Sequence, residues 1–200
     1  KKATIGTLKD ITLQKELEHT LLNQKNLFKG IAEAANILLT ERDFDIAIKN
    51  TLKSLGESSD IDRVYIFEND FDEEKSKYLM SQKFEWTNGN FSSELNNPDL
   101  QNLSYFPMFE EWYPTLKTGG TINSLIKDLK PELRDLLSIQ KIKSILIVPI
   151  MVKKEFWGFI GFDYCKSERV WSESEISTLQ TTAANLGAVI EREITKKELI

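Results

Sequence analysis

The sequence predicts an α+β fold, with one central antiparallel sheet, helices from both ends of the chain on one face, and an irregular segment over the other. Three observations carry this. Helix-period segments lie at both ends, two pairs of β-branched and aromatic runs stand between them, and the stretch separating those pairs is rich in Asn, Ser, Pro and Gly. The 200 residues suffice for one hydrophobic core, and 40% apolar with 28% charged residues is the composition of a folded globular chain.

Residues 8–39 hold one helix breaker, Gly30, among Leu, Lys, Glu and Gln, and read as a helix. Leu17, Leu21, Gln24, Phe28, Ile31, Ala35 and Leu38 alternate spacings of four and three, the seam of a coiled coil or of a helix lying on another helix. Docking on the chain's own body accounts for the part after Phe28. Leu17 and Leu21 precede that body, and there the reading is a parallel dimer contact. Asp43 is the N-cap of a second helix that ends at Leu55, with Gly56 as a left-handed stop.

The period then changes from helical to alternating. Residues 63–68 and 77–86 form a hairpin about the polar turn 69–74, and 87–105, with Asn-Gly and Asn-Asn-Pro, is a long loop of the kind that often forms a lid. Met108, Phe109, Trp112, Tyr113 and Leu116 line one face of a short helix ending at Gly119-Gly120. A short strand at 121–123 and a helix over 131–140, with Pro131 in its first turn, follow. Residues 144–152 and 156–164 form a second hairpin about Lys153-Lys154-Glu155. Ser172 and Glu175 make a capping box that opens a last helix, along which Ile176, Leu179, Ala183, Leu186 and Ile190 again alternate three and four. The two terminal helices share one sheet face, and a cavity is expected under the loop segment on the other.

Composition excludes several functions. With 26 basic against 31 acidic residues the net charge is -5, so no nucleic-acid partner is expected. No run approaches the roughly 20 apolar residues of a membrane span, and Lys1-Lys2 is not followed by a signal-peptide core, so no direct membrane insertion is expected. A single cysteine, Cys165, rules out an internal disulfide or a thiolate cluster and points to a reducing compartment. A single histidine, His19, rules out two-histidine metal sites and most Ser-His and Cys-His catalysis. Lacking an initial Met and stopping at Ile200 within a helical run, the chain reads as a piece of something longer.

Two stretches carry a resemblance to a known family. One is Ser144-Ile-Leu-Ile-Val-Pro149-Ile with Phe156-Trp-Gly158-Phe-Ile-Gly161-Phe-Asp163; the other is Glu168-Arg169-Val170-Trp171-Ser172 leading into Glu175-Ile176, then Ala183, Ala184, Leu186, Gly187, Ile190 and Arg192. With Phe109, Trp112, Leu116 and Gly119 they resemble a GAF domain, of the type found in bacterial and archaeal sensor histidine kinases and related multidomain signalling proteins. The resemblance implies a sheet of about six strands, helices from both termini on one face, and a small-molecule pocket under loops and short helices on the other. It also implies a cytoplasmic, usually dimeric setting among neighbouring signalling domains. On this reading residues 1–27 are an N-terminal linker or coiled-coil helix, 28–192 the GAF domain, and 193–200 the start of a C-terminal linker helix.

The candidate ligand-binding set is Tyr65, Phe67, Trp86, Phe106, Phe109, Trp112, Tyr113 and Asp163. The aromatic members either line the pocket or fill a core over the sheet. Asp163, which ends an apolar strand, accepts either from a ligand or, as the structural reading has it, from backbone donors or Arg169. Arg169 and Trp171 read as packing and anchoring groups, Gly158 and Gly161 as points of close backbone approach, and Cys165 as a passive thiol rather than a sensor or bilin anchor. His19 reads as a solvated helix position, lacking the surroundings of a phosphoacceptor. The cyclic-nucleotide signature is not found, so the ligand is an unidentified small organic molecule and no cofactor is named. The expected function is non-catalytic sensing, relayed through the terminal helices of a homodimer. The rivals are a structural relay without a ligand, and an enzyme using Glu110 or Glu111 near Tyr113.

Overall fold

The computed structural model describes residues 12–59 and 61–199. Residues 8–11 of the first expected helix, and the side chain of His19, lie outside the described residues. α1 (Thr12–Thr40) and α2 (Phe44–Ser58) precede the hairpin of β1 (Arg63–Asp72) and β2 (Lys77–Thr87). A 3₁₀ turn at Pro98–Leu100 leads to β3 (Leu103–Ser104), α3 (Trp112–Lys117), β4 (Ile122–Leu125) and α4 (Pro131–Ile139). The hairpin of β5 (Ser144–Val152) and β6 (Glu155–Tyr164) and then α5 (Glu173–Glu198) complete the described chain. All six strands join one antiparallel sheet in the order β3-β2-β1-β6-β5-β4.

Alternation along the strands divides the interior into two cores. Val64 and Ile66 of β1, Leu146, Val148 and Ile150 of β5, and Ile160 and Phe162 of β6 face the helices. They meet Leu27, Ala34 and Leu38 of α1, Ile48, Leu52 and Leu55 of α2, and Leu179, Ala183, Leu186 and Ile190 of α5. The residues between them, Tyr65, Phe67, Ile145, Ile147 and Phe159, face a cap that includes Leu100, Phe109, Trp112, Leu116, Leu133 and Leu137. Helices from the two ends of the chain therefore share one sheet face, and the irregular middle covers the other.

The helix boundaries follow their caps. Asp43 Oδ1 accepts from Ile46 N at 2.9 Å and starts α2. That helix does not stop at Gly56 but runs on to Ser58, so Gly56 is no left-handed cap. A Cβ there would stand 2.0 Å from Cζ3 of Trp86, so glycine lets α2 lie directly on the indole. At α5 both halves of the capping box form, Ser172 accepting from Glu175 N and the Glu175 carboxylate accepting from Ser172 N at 2.9 Å.

The long seam of α1 splits. Leu27, Ala34 and Leu38, with the partly buried Ile31, face the core, whereas Leu17, Leu21 and Phe28 are each at least half exposed. The buried positions keep the four-three spacing in a different register, at Leu27, Ile31, Ala34 and Leu38, which leaves Phe28 on the exposed side.

Candidate functional site

Between sheet and cap lies a small, partly open cavity. Its floor comes from alternate strand residues, Arg63, Tyr65 and Phe67 of β1, Ile145 and Ile147 of β5, and Phe159 and Asp163 of β6. β2 contributes Met80, Gln82 and Glu85. The roof holds Glu94, Leu100, Leu103, Phe109, Trp112, Leu136, Leu137, Gln140 and Ile142. The walls are apolar except for Arg63, Glu85, Glu94, Gln140 and Asp163, and for Gln82.

Of the expected residues, Tyr65, Phe67, Phe109, Trp112 and Asp163 come together around this cavity. Trp86, Phe106 and Tyr113 do not. Trp86 is turned to the other face by a bulge: Ile66 pairs with Phe84 but Phe67 pairs with Gln82, so Lys83 is an extra residue and parity reverses beyond it. Phe84 and Trp86 consequently pack with the helices, and Glu85 takes the pocket side. Phe106 is 50% exposed. Tyr113 belongs to a neighbouring ring cluster, 4.6 Å from Tyr78, 5.0 Å from Tyr105 and 5.9 Å from Phe156 between centroids.

Asp163 is 1% exposed and accepts from the Tyr65 hydroxyl at 2.9 Å. Burial pushes its carboxyl up to about 7, although the Tyr65 hydrogen bond and the Arg63 charge pull the other way. Burial, then the Asp163 charge, raises the Tyr65 phenol well above its ordinary value. The Tyr65 ring reaches Asp163 across Gly161, where a Cβ would stand 2.1 Å from Tyr65 Cε2. Arg169 is elsewhere: it pairs with Glu175, donates to the Tyr164 hydroxyl, and lies 5.1 Å from the ring centroids of both Tyr164 and Trp171.

Arg63, Gln82, Glu85 and Gln140 were not among the expected residues. Arg63 has a signal in the sequence, since it starts an apolar strand in the same alternation as Tyr65 and Phe67. Another buried acid, Asp62, is a brace rather than a pocket group. Its carboxylate accepts from Cys165 N at 2.7 Å and Lys166 N at 3.1 Å and from the Asn88 amide, tying the start of β1 to the end of β6. Cys165 is buried off the cavity, its thiol pushed up to about 12 by burial and then by Asp163. Glu110 and Glu111 are surface groups paired with Lys130, at 3.3 and 2.8 Å. Among the described residues no group of three or more His, Cys, Asp or Glu side chains is placed to hold a metal ion, and no helix is long and apolar enough to cross a membrane.

A six-stranded antiparallel sheet thus carries the terminal helices on one face and a capped cavity on the other. The GAF domain family matches residues 43–190, and the chain belongs to that family. It is 43% identical over 195 residues to the methanogenesis regulatory histidine kinase FilI of Methanothrix harundinacea, a match covering 98% of this chain and 22% of that protein. The chain thus spans about a fifth of that relative's length. Among solved structures, a far-red-absorbing dark state with bound biliverdin IXa superposes with a TM-score of 0.67 at 17% identity, covering 82% of this chain and 98% of the other. A phycocyanobilin-bound GAF domain from a cyanobacterial phytochrome superposes with a TM-score of 0.65 at 16% identity, over 85% and 96% of the two chains.

Proposed function

We propose that this chain is a non-catalytic sensory GAF domain of a cytoplasmic, histidine-kinase-type protein. It binds a small organic molecule between sheet and cap and passes the pocket's state to neighbouring domains through its terminal helices. The observation that carries this is the cavity itself, apolar along its walls, polar at one end, and separated from α1 and α5 by a single layer of strands. The relative's description as a histidine kinase supports the setting. A covalently attached bilin does not fit these residues: Cys165, the one cysteine of the chain, is buried away from the cavity with a thiol unsuited to attachment.

The coupling route runs through the strands. β1 presents Tyr65 and Phe67 to the pocket and Val64 and Ile66 to the helices, so a shift of the strand moves both cores. A ligand biases such a shift only through different affinity for the two arrangements. The exposed Leu17, Leu21 and Phe28 support a homodimer through α1, because an apolar stripe on a helix is stabilised by a second stripe. Sedimentation of the chain as a dimer, and of the Leu17→Gln/Leu21→Gln pair as a monomer, is the expected result. A monomeric parent chain refutes that contact.

The test of sensing is a thermal-shift screen with a chemically mixed panel of compact metabolites, with mass spectrometry of the small molecules released on denaturing the purified protein. The expected result is at least one compound that raises the melting temperature with the logarithm of its concentration and slows amide exchange in α5. A silent panel and an empty extract would favour the relay without a ligand, a reading that the small volume of the cavity supports.

A further inference from the structure

Arg63 is 3% exposed, yet among the described residues its guanidinium forms no ion pair. Its Nη1 reaches Gln140 Oε1 and its Nη2 the Ser92 carbonyl, both at the long distance of 3.4 Å, and its Nε has no hydrogen-bond partner. The Phe91 ring lies 5.8 Å from the guanidinium carbon. Gln82, 4% exposed on the same cavity, has an Nε2 that is likewise without a partner. Burying a cation with donors unmet costs several kcal/mol, and so does a buried unmet amide, though less.

Each of the cavity's own acids has one oxygen engaged by other groups, and none of them pairs with Arg63. One Glu85 oxygen takes the Ser93 hydroxyl and the amides of Glu94 and Leu95, Glu94 accepts from Asn97, and Asp163 accepts from Tyr65. What is missing at Arg63 is therefore an anionic acceptor with two oxygens in a plane, the partner a guanidinium fork holds best. The rest of the wall is apolar, with Phe67, Leu137 and Phe159 among its members, so the remainder of such a molecule must be apolar too.

We infer that the pocket's ligand is a compact monocarboxylate, its carboxylate seated on Arg63, its apolar body along the walls, and Gln82 available to one further oxygen of that body. This rests on the binding function proposed above and names the chemical class of its ligand.

The test uses the purified chain, Trp112 in the wall serving as a fluorescence reporter beside the thermal shift. The probes are butyrate, isovalerate, 2-oxoisovalerate and benzoate, each against its primary amide at constant ionic strength. The acids are expected to bind about tenfold or more tightly than their amides, the gain of a charge-assisted over a neutral hydrogen bond. Arg63→Gln is expected to erase that preference, and Gln82→Leu to weaken the oxo acid while sparing isovalerate. Should Arg63→Gln fail to fold, the ¹⁵N-resolved Nε–H signal of Arg63 in the parent protein must move on titration with an acid and stay put with its amide. Amides that bind as well as acids, an Arg63→Gln variant that keeps the preference, or hits only outside the acids of the mixed panel, would each overturn the carboxylate while leaving a binding pocket. If no compound of any class binds, both readings fall.

Discussion

Replacing Asp163 by Asn tests the electrostatics of the cavity without disturbing its shape. The Asn carbonyl can still accept from the Tyr65 hydroxyl, but the site no longer titrates. In the native protein burial holds the Asp163 carboxyl at about 7, against an ordinary 3.8. The folded state therefore binds a proton that the unfolded chain has released, and stability falls as pH rises through that window. At 1.36 kcal/mol per pH unit the loss is on the order of 4 kcal/mol between about pH 4 and pH 7, levelling off above. Asp163→Asn escapes it. Its stability relative to the parent should lie near zero at pH 4 and climb to about 4 kcal/mol in the variant's favour by pH 8. With a urea slope of about 2 kcal/mol/M this is a midpoint shift of about 2 M at the alkaline end. Urea unfolding of both proteins across that range measures the difference, in which the titrations common to the two cancel. A difference that stays flat, or a variant less stable at pH 8, would show that burial does not govern this carboxyl.

Gly56→Ala should lose about 1–3 kcal/mol to overpacking, because the new methyl would meet Trp86 at 2.0 Å; the same change in an exposed helix interior gains up to about 1 kcal/mol, so urea unfolding reads the sign directly. Ser172→Ala removes the hydroxyl half of the α5 capping box and should cost about 1 kcal/mol, again by urea unfolding. Cys165 should react with iodoacetamide at pH 8 at least about a thousandfold more slowly in the folded than in the unfolded protein, since its thiol stands near 12 rather than 9; mass spectrometry of the labelled chain gives both rates.

Apart from the two-residue β3 and the 3₁₀ turn before it, which fall in the stretch read as a loop, the elements and their order were legible from local signals such as the capping box at Ser172, the Asp43 cap, and alternation in β5 and β6. Where the reading failed, a tertiary contact had overridden the local rule. Gly56 has the composition of a helix stop but is required by the indole above it, and a ring thirty residues away in the hairpin leaves no trace in the helix sequence. Trp86 shows the same limit in a strand. Period two places it beside Gln82, and only the extra residue at Lys83 sends it to the helices. The aromatic half of the cavity was accessible to reasoning, since Tyr65 and Phe67 alternate with Val64 and Ile66. The polar half was accessible in part, through Asp163 and through the place of Arg63 in the same alternation, whereas the unmet donors of Arg63 and Gln82 are visible only in three dimensions.

The size of the cavity constrains how a relay through it could work. A ligand the size of butyrate, with six heavy atoms, can supply at most about 1.5 kcal/mol per atom, so its whole binding free energy is bounded near 9 kcal/mol, and only the part that differs between two arrangements does any switching. Moving a population from almost all in one state to almost all in the other takes about 5.5 kcal/mol of that difference. A compact ligand reaches this only if most of its contacts exist in one state alone, which would require the cap to come apart in the other. A smaller difference suffices if the two arrangements of strands and helices already lie within a few kcal/mol of each other. Changes at the helix face of β1, such as Val64→Ala or Ile66→Ala, should then alter the output of the full-length protein while leaving ligand affinity within a few fold, because they shift the balance between the arrangements without touching the pocket wall.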